Sequence, residues 1–288
     1  METSDLLKKV RKIEIKTRGL SQNIFAGEYH SAFKGRGMTF SEVREYQYGD
    51  DIRSIDWNVT ARFGHPYIKI FEEEREMTVM LLIDVSGSRD FGSLSQTKKD
   101  VFTEIAAVLA FSTIQNNDKI GVIFFSDQIE KFIPPQKGKK HVLHIIRELI
   151  DFKPQSRNTD IAMALRYFTN VIKKRSTAFI ISDFMDNNFE RDLKIANRKH
   201  DIAALQVYDN RETELPDVGL IKLKDAESGE RIWIDTSDRR LRTAYKNNWG
   251  QTQLALQKSF TLSGVDSVSM STSDDYVRAL MRLFKMRA

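Results

Sequence analysis

The chain has 288 residues, 41% hydrophobic and 30% charged, with a net charge of +5 from 45 basic and 40 acidic side chains. That balance excludes a mostly disordered chain, and the length is enough to bury a core without covalent staples. There is no cysteine, which excludes disulfides and thiolate sites and leaves only oxygen or imidazole ligands for any metal.

The longest apolar run, Val79-Met80-Leu81-Leu82-Ile83, is far shorter than the ~20 residues of a membrane helix. The first twenty residues mix Asp5, Lys8, Lys9, Arg11 and Glu14 with leucines and hold no apolar signal core. These features point to a cytoplasmic protein without a transmembrane segment. The length allows two domains, or one large α/β domain with an added segment.

The texture of the chain changes near Met77. Residues 1–76 are polar and irregular with scattered aromatics, and are expected to pack as an N-terminal segment on a main domain, 77–288. From Met77 onward apolar strands and helical patterns alternate. Met77–Ile83 reads as a strand buried on both faces. Thr97–Gln115 reads as a helix whose Thr97 and Asp100 have capping-box spacing. Ile120–Ser126 is a second buried strand. Ile129–Ile133 is its hairpin partner, which Pro134-Pro135 should end. Helices follow at His141–Ile150 and Thr159–Lys173, then a strand at Ala178–Ser182. A further helix, Phe189–Lys199, leads to a strand at Ile202–Tyr208. Leu220–Leu223 and Arg231–Ile234 flank Glu227-Ser228-Gly229-Glu230 as an inserted hairpin, at about 218–235. A long helix (Asp238–Leu262), a strand (Val265–Met270) and a helix (Asp274–Met286) close the chain. The predicted fold is α/β: a doubly wound, mostly parallel sheet, with ligands expected at the carboxyl ends of its strands.

The first strand ends in Asp84-Val85-Ser86-Gly87-Ser88. Alternate positions of an extended or looping backbone point the same way, so Asp84, Ser86 and Ser88 can converge. One carboxylate with two hydroxyls is a hard, low-charge oxygen set suited to Mg²⁺. The same pattern also fits a polar turn capping the next helix. Thr159, at a helix start, and Asp183, after a strand, fall on carboxyl-edge loops of the same sheet. Each has a plainer role available: Thr159 as an N-cap, Asp183 as a turn residue.

Asp84-x-Ser86-x-Ser88 followed by Thr159 and Asp183 resembles the metal-ion-dependent adhesion site of von Willebrand factor A domains. The strand order from Met77, with its hairpin after the second strand, resembles that fold. Gly35-Arg36-Gly37-Met38-Thr39-Phe40, Arg44-Glu45-Tyr46, Gly49-Asp50-Asp51-Ile52-Arg53, Ile55-Asp56-Trp57 and Ala61-Arg62 resemble the bacterial "domain of unknown function 58" family. Arg89 departs from that family's pattern, where many members carry Met, and the membrane helices of some members are missing.

The resemblance implies a metal site of Asp84, Ser86, Ser88, Thr159 and Asp183 holding Mg²⁺ or Mn²⁺ weakly. A partner's acidic residue would complete the coordination. It further implies a non-enzymatic protein-interaction module, an adaptor or co-chaperone of a MoxR-type AAA ATPase and its client protein.

The opposite charges around Asp50, Asp51, Arg53, Asp56, Arg62 and Glu72 to Glu74 read as a docking network, and Tyr46 and Trp57 as packing residues. The alternative function is a metal-dependent phosphoester hydrolase with Asp84 and Asp183 on the ion. No histidine or extra carboxylate is placed by motif as its general base. Nucleotide loops are absent: Phe40 stands where G-x-G-x-x-G needs its last glycine, and Lys137-Gly138-Lys139-Lys140 lacks the rest of a phosphate loop. Nine basic residues against three acidic ones from Arg239 to Arg287 read as a solvated helix face before they read as a nucleic-acid surface.

Overall fold

The computed structural model describes residues 39–72, 77–92, 96–226 and 229–287. The chain divides into two compact units, 34–77 and the remainder. In the smaller unit, β1 (Thr39–Glu45) and β2 (Tyr67–Glu72) pair antiparallel. Between them lie a 3₁₀ turn (Ile52–Ser54) and α1 (Trp57–Phe63).

The stretch expected to be irregular is therefore regular in its second half. Its elements are short, and their signals are local. Ile68 and Ile70 alternate with Tyr67 and Lys69 at strand period. Asp51 and Asp56 cap the 3₁₀ turn and α1, and Gly64, at φ 73°, ends α1 in the left-handed region. The dense charges serve this local structure. Arg44 grips Asp50 with both terminal nitrogens at 2.8 and 2.9 Å, and Lys69 lies 3.4 Å from Asp56. Trp57, the first residue of α1 and expected to pack, is instead 68% exposed. Glu73 and Glu74 lie outside the described residues.

The larger unit is a six-stranded sheet in the order β10-β7-β6-β3-β4-β5. Its members are β3 (Thr78–Asp84), β4 (Lys119–Phe125), β5 (Ile129–Gln136), β6 (Thr177–Ser182), β7 (Asp201–Tyr208) and β10 (Asp266–Ser271). Only β5, at the edge, runs antiparallel. The architecture is the doubly wound, mostly parallel α/β fold expected above.

β5 continues through Pro134-Pro135 where a stop was expected. An edge strand has one side without ladder partners, so missing N–H groups cost little there. The pairing is also irregular between Ile120 and Val122. A Cβ on the intervening Gly121 would lie 2.9 Å from the Ile133 carbonyl oxygen and from the Pro135 nitrogen, so glycine permits the close approach.

Helices α2 (Lys98–Gln115), α3 (Lys139–Asp151), α4 (Ile161–Val171), α5 (Glu190–Lys199), a short α6 (Asn210–Thr213), α7 (Arg239–Ser263) and α8 (Tyr276–Arg287) complete the unit. Side chains alternate across the buried strands. Met80, Leu82, Ile123 and Ile180 meet Phe168, Leu193 and Phe260 from α4, α5 and α7. On the opposite face, Phe179 packs edge-on against Phe284 of α8. α2 is buried nearly all round, as its apolar composition on every side requires.

β8 (Leu220–Lys224) and β9 (Arg231–Asp235) form the expected hairpin as a separate two-stranded sheet. Glu227 and Ser228 of its turn lie outside the described residues. Several basic residues of the C-terminal stretch are paired: Arg242 with Asp217 and Lys246 with Glu214, both at 3.1 Å, and Arg287 with Asp201. No helix among the described residues is long and apolar enough to cross a membrane.

Candidate functional site

Parallel pairing puts the carboxyl ends of β3, β4, β6 and β7 at one edge. Asp84 is level with Phe125, Ile83 with Ile181, and Ser182 with Gln206. The chain leaves β3 toward β4 on one side and returns as β6 on the other. The edge of β3 and β6 is thus the switch point where open α/β sheets bind ligands. Asp84-Val85-Ser86-Gly87-Ser88 and Asp183 stand at this edge.

The turn after β3 is built by its own side chains. Asp84 Oδ1 accepts the Ser86 N–H at 2.9 Å, and its Oδ2 accepts the Ser182 hydroxyl at 2.7 Å. The Ser86 and Ser88 hydroxyls lie 3.2 Å apart. Asp84, Ser86 and Asp183 are buried, while Ser88 is partly open. Burial, and then the neighbouring Asp183 charge, push the Asp84 carboxyl up to about 6.

Three further contacts tie in the neighbouring loops. The Gly87 N–H donates to the Arg157 carbonyl at 2.9 Å, and Asp160 N–H to the Ser126 carbonyl at 3.0 Å. Asp186 Oδ2 accepts the Ile161 N–H at 2.8 Å, linking the loop after β6 to the start of α4. Thr159 lies on this strapped loop, half-buried. It does not cap α4, which starts at Ile161. The cap is Asp160, whose carboxylate accepts the Met163 N–H at 2.7 Å.

The turn after β6 stores strain. Phe184 has φ 55°, a region a bulky residue rarely enters. It is held there by burial against Phe189 and Phe260, and by its N–H donating to Ser182 Oγ at 3.0 Å. The bend presents Asp183 toward the β3 turn.

Sequence reading missed the other half of the crevice. Lys98, the first residue of α2, is 0% exposed. Its ammonium donates to Asp183 Oδ2 at 2.8 Å and to Glu212 Oε1 at 2.5 Å. Burial alone would lower the lysine, but the two carboxylates raise it, so it stays charged. Asp183 Oδ1 accepts the Met185 N–H at 3.2 Å.

Glu212 is the third helical residue of a capping box. Its Oε2 accepts the Asp209 N–H at 2.8 Å, and Asp209 in turn accepts the Thr272 hydroxyl at 2.8 Å. The Asp209-x-x-Glu212 spacing after a strand could have flagged Glu212. Thr97-Lys98-Lys99-Asp100 reads as an ordinary polar first turn and flags nothing.

The hairpin reaches the same place. A Cβ on residue 87 would stand 2.4 Å from the Ala226 carbonyl oxygen, so glycine alone lets the β8–β9 turn close on the β3 turn.

The family model described as "Protein of unknown function DUF58" matches residues 42–254. The chain belongs to the DUF58 family. Two uncharacterized mycobacterial proteins, from Mycobacterium bovis and Mycobacterium tuberculosis, are each 28% identical to this DUF58 chain over 281 residues. Those matches cover 96% of it and 88% of the relative. YeaD of Bacillus subtilis is 30% identical over 112 residues, which cover 38% of this chain and 25% of YeaD. Among solved structures, the conserved hypothetical protein BatB of Bacteroides thetaiotaomicron is similar at 15% identity and a TM-score of 0.47. That match covers 73% of this chain and 98% of BatB. The Rpn10 von Willebrand A domain is similar at 12% identity and a TM-score of 0.38, over 73% and 95%.

Proposed function

We propose that this DUF58 chain is a non-enzymatic protein-interaction module whose docking site is the carboxyl edge of β3 and β6, working through a bound Mg²⁺ or Mn²⁺. The observation that carries the reading is the convergence of Asp84, Ser86 and Ser88 beside Asp183 at the sheet's switch point. The donor set fits a hard cation. It offers a carboxylate and hydroxyls on one turn, and an Asp84 carboxyl raised first by burial and then by the Asp183 charge, a cost that a bound cation would relieve. Asp84, Ser86, Ser88 and Thr159 would hold the ion, with Asp183 beside them. When bound, the ion supplies a Lewis-acidic position that a partner's Asp or Glu can fill.

The chain's own residues shape the docking. Asp84 is fixed by Ser182, and the Thr159 loop by the Gly87–Arg157 bond. The hairpin against Gly87 exposes Leu220 and Trp233 on one face, with the Lys222 ammonium 5.5 Å from the Trp233 ring centroid, a surface that a protein partner can use. A MoxR-type AAA ATPase, the partner implied by the family resemblance, is the proposed occupant together with its client.

The hydrolase alternative has less support. His141 bonds the Ile120 carbonyl, and His200 packs on Phe168 beside Ser176; both are at the amino ends of the strands. A capture experiment tests the reading. The immobilised chain should retain the ATPase in Mg²⁺ and lose it in EDTA or on Ser86→Ala or Thr159→Ala. Capture indifferent to chelation and to both substitutions, with the protein folded, sinks it.

A further inference from the structure

Lys98 stands where a lysine is costly on two counts. The first turn of a helix carries partial positive charge, which disfavours a cation. A fully buried ammonium is tolerated only when its charge is met by close partners. Both costs are offset here by Asp183, in the turn after β6, and Glu212, in α6 after β7. Glu212 is a built acceptor: one oxygen is locked by the Asp209 N–H, and the other is aimed at the ammonium. Asp183 is shared. It is the carboxylate that faces Asp84 across the crevice, and it is also the one Lys98 holds.

We infer that Lys98 is a tethered cation that competes with the divalent ion for Asp183, with Glu212 as the acceptor to which it withdraws when the ion binds. The inference rests on the metal reading above and adds its regulation. With Lys98 bridging Asp183 and Glu212, the crevice is electrically satisfied without a metal. With a divalent ion beside Asp84, like charge disfavours the ammonium at Asp183, and Glu212 alone keeps it paired. Ion binding is thereby coupled to the start of α2 and to α6. A clamp that only fastened three elements would leave ion affinity independent of Glu212.

The test is Mn²⁺ binding to the full chain, read by calorimetry and by electron paramagnetic resonance of free Mn²⁺. Wild type, Lys98→Met, Glu212→Gln and the double variant are compared. Removing the competitor in K98M should tighten Mn²⁺ at least tenfold. E212Q strands the ammonium on Asp183 and should weaken Mn²⁺ by a similar factor. In the double variant the Glu212 effect should vanish, leaving the affinity of K98M.

If K98M fails to fold, the double variant, which leaves one fewer buried charge unpaired, takes its place beside E212Q. Affinity unchanged in E212Q overturns the inference. So does a K98M that binds no tighter than wild type, or a Glu212 effect undiminished without Lys98. If wild type binds Mn²⁺ and Ser86→Ala abolishes it while Lys98 has no influence, the metal reading stands and this inference falls. If no variant binds Mn²⁺ at millimolar concentration, both fall.

Discussion

Arg89 is only 3% exposed, yet among the described residues it makes one hydrogen bond, from Nη2 to the Phe152 carbonyl at 2.7 Å, and its Nε lies 4.0 Å from the exposed Asp90 carboxylate. Its Nε and Nη1 find no hydrogen-bond partner among the described residues. A buried donor without an acceptor costs about 1–3 kcal/mol, and a buried charge is often replaced without loss by an apolar side chain of similar volume. Arg89→Met, which keeps the length and discards the charge, should therefore stabilise the chain by about 1–3 kcal/mol in urea unfolding. A destabilised variant would mean the guanidinium has a role at the neighbouring Asp84 turn. His200 gives a second residue-scale expectation. Burial, followed by the charges of Lys199 and Arg175, lowers its imidazole to about 4. The unfolded chain protonates this group near pH 6.5, so between pH 6.5 and 4 the unfolded state binds more protons and stability falls as pH falls. The loss across that window is about 3 kcal/mol, at about 1.4 kcal/mol per pH unit. Unfolding of His200→Gln should show a flatter acid limb than wild type. Parallel limbs would remove His200 from the account.

At the scale of elements, the main unit was legible because its signals are long. The continuous apolar runs of β3, β4, β6 and β7 meet the demand of strands buried on both faces, and α3, α4 and α5 each show a one-sided apolar period. Capping chemistry set several boundaries within a residue or two: the Thr97–Asp100 box, and Asp238 with Gly264 at the ends of α7. What failed depended on neighbours that the sequence does not display. Two prolines reliably end a central strand, but β5 is an edge, and only the sheet order reveals that. The start of α4 belongs to Asp160 because its carboxylate reaches the Met163 N–H, leaving Thr159 in the loop. The Asp84-x-Ser86-x-Ser88 turn was readable because its three donors are adjacent in the chain. The Lys98–Asp183–Glu212 triad was not, because its members are brought together by tertiary packing across 85 and 114 residues of separation.

For the molecule as a whole, the two units differ in what they bury. The larger holds its core in the sheet and the helices on both faces, with Leu81, Val122, Phe179, Ile180 and Leu280 all fully enclosed. In 34–77, Ile68 and Met77 are the buried apolar side chains among the described residues, while Tyr48, Ile52, Trp57 and Phe63 are exposed. Its order comes from two short strands, three helix or turn caps and one bidentate ion pair. An isolated two-stranded sheet is marginal in water, and exposed ion pairs contribute about 0–1 kcal/mol each. A domain this small needs to enclose about 60% of its unfolded surface to stand alone, and two apolar side chains do not approach that. A fragment of residues 34–77 should therefore show no cooperative thermal transition by circular dichroism. A fragment of residues 78–288 should keep one, because its core is its own. A sharp, reversible melt of 34–77 alone would overturn this expectation. Loss of the transition in 78–288 would show that the sheet depends on what precedes it.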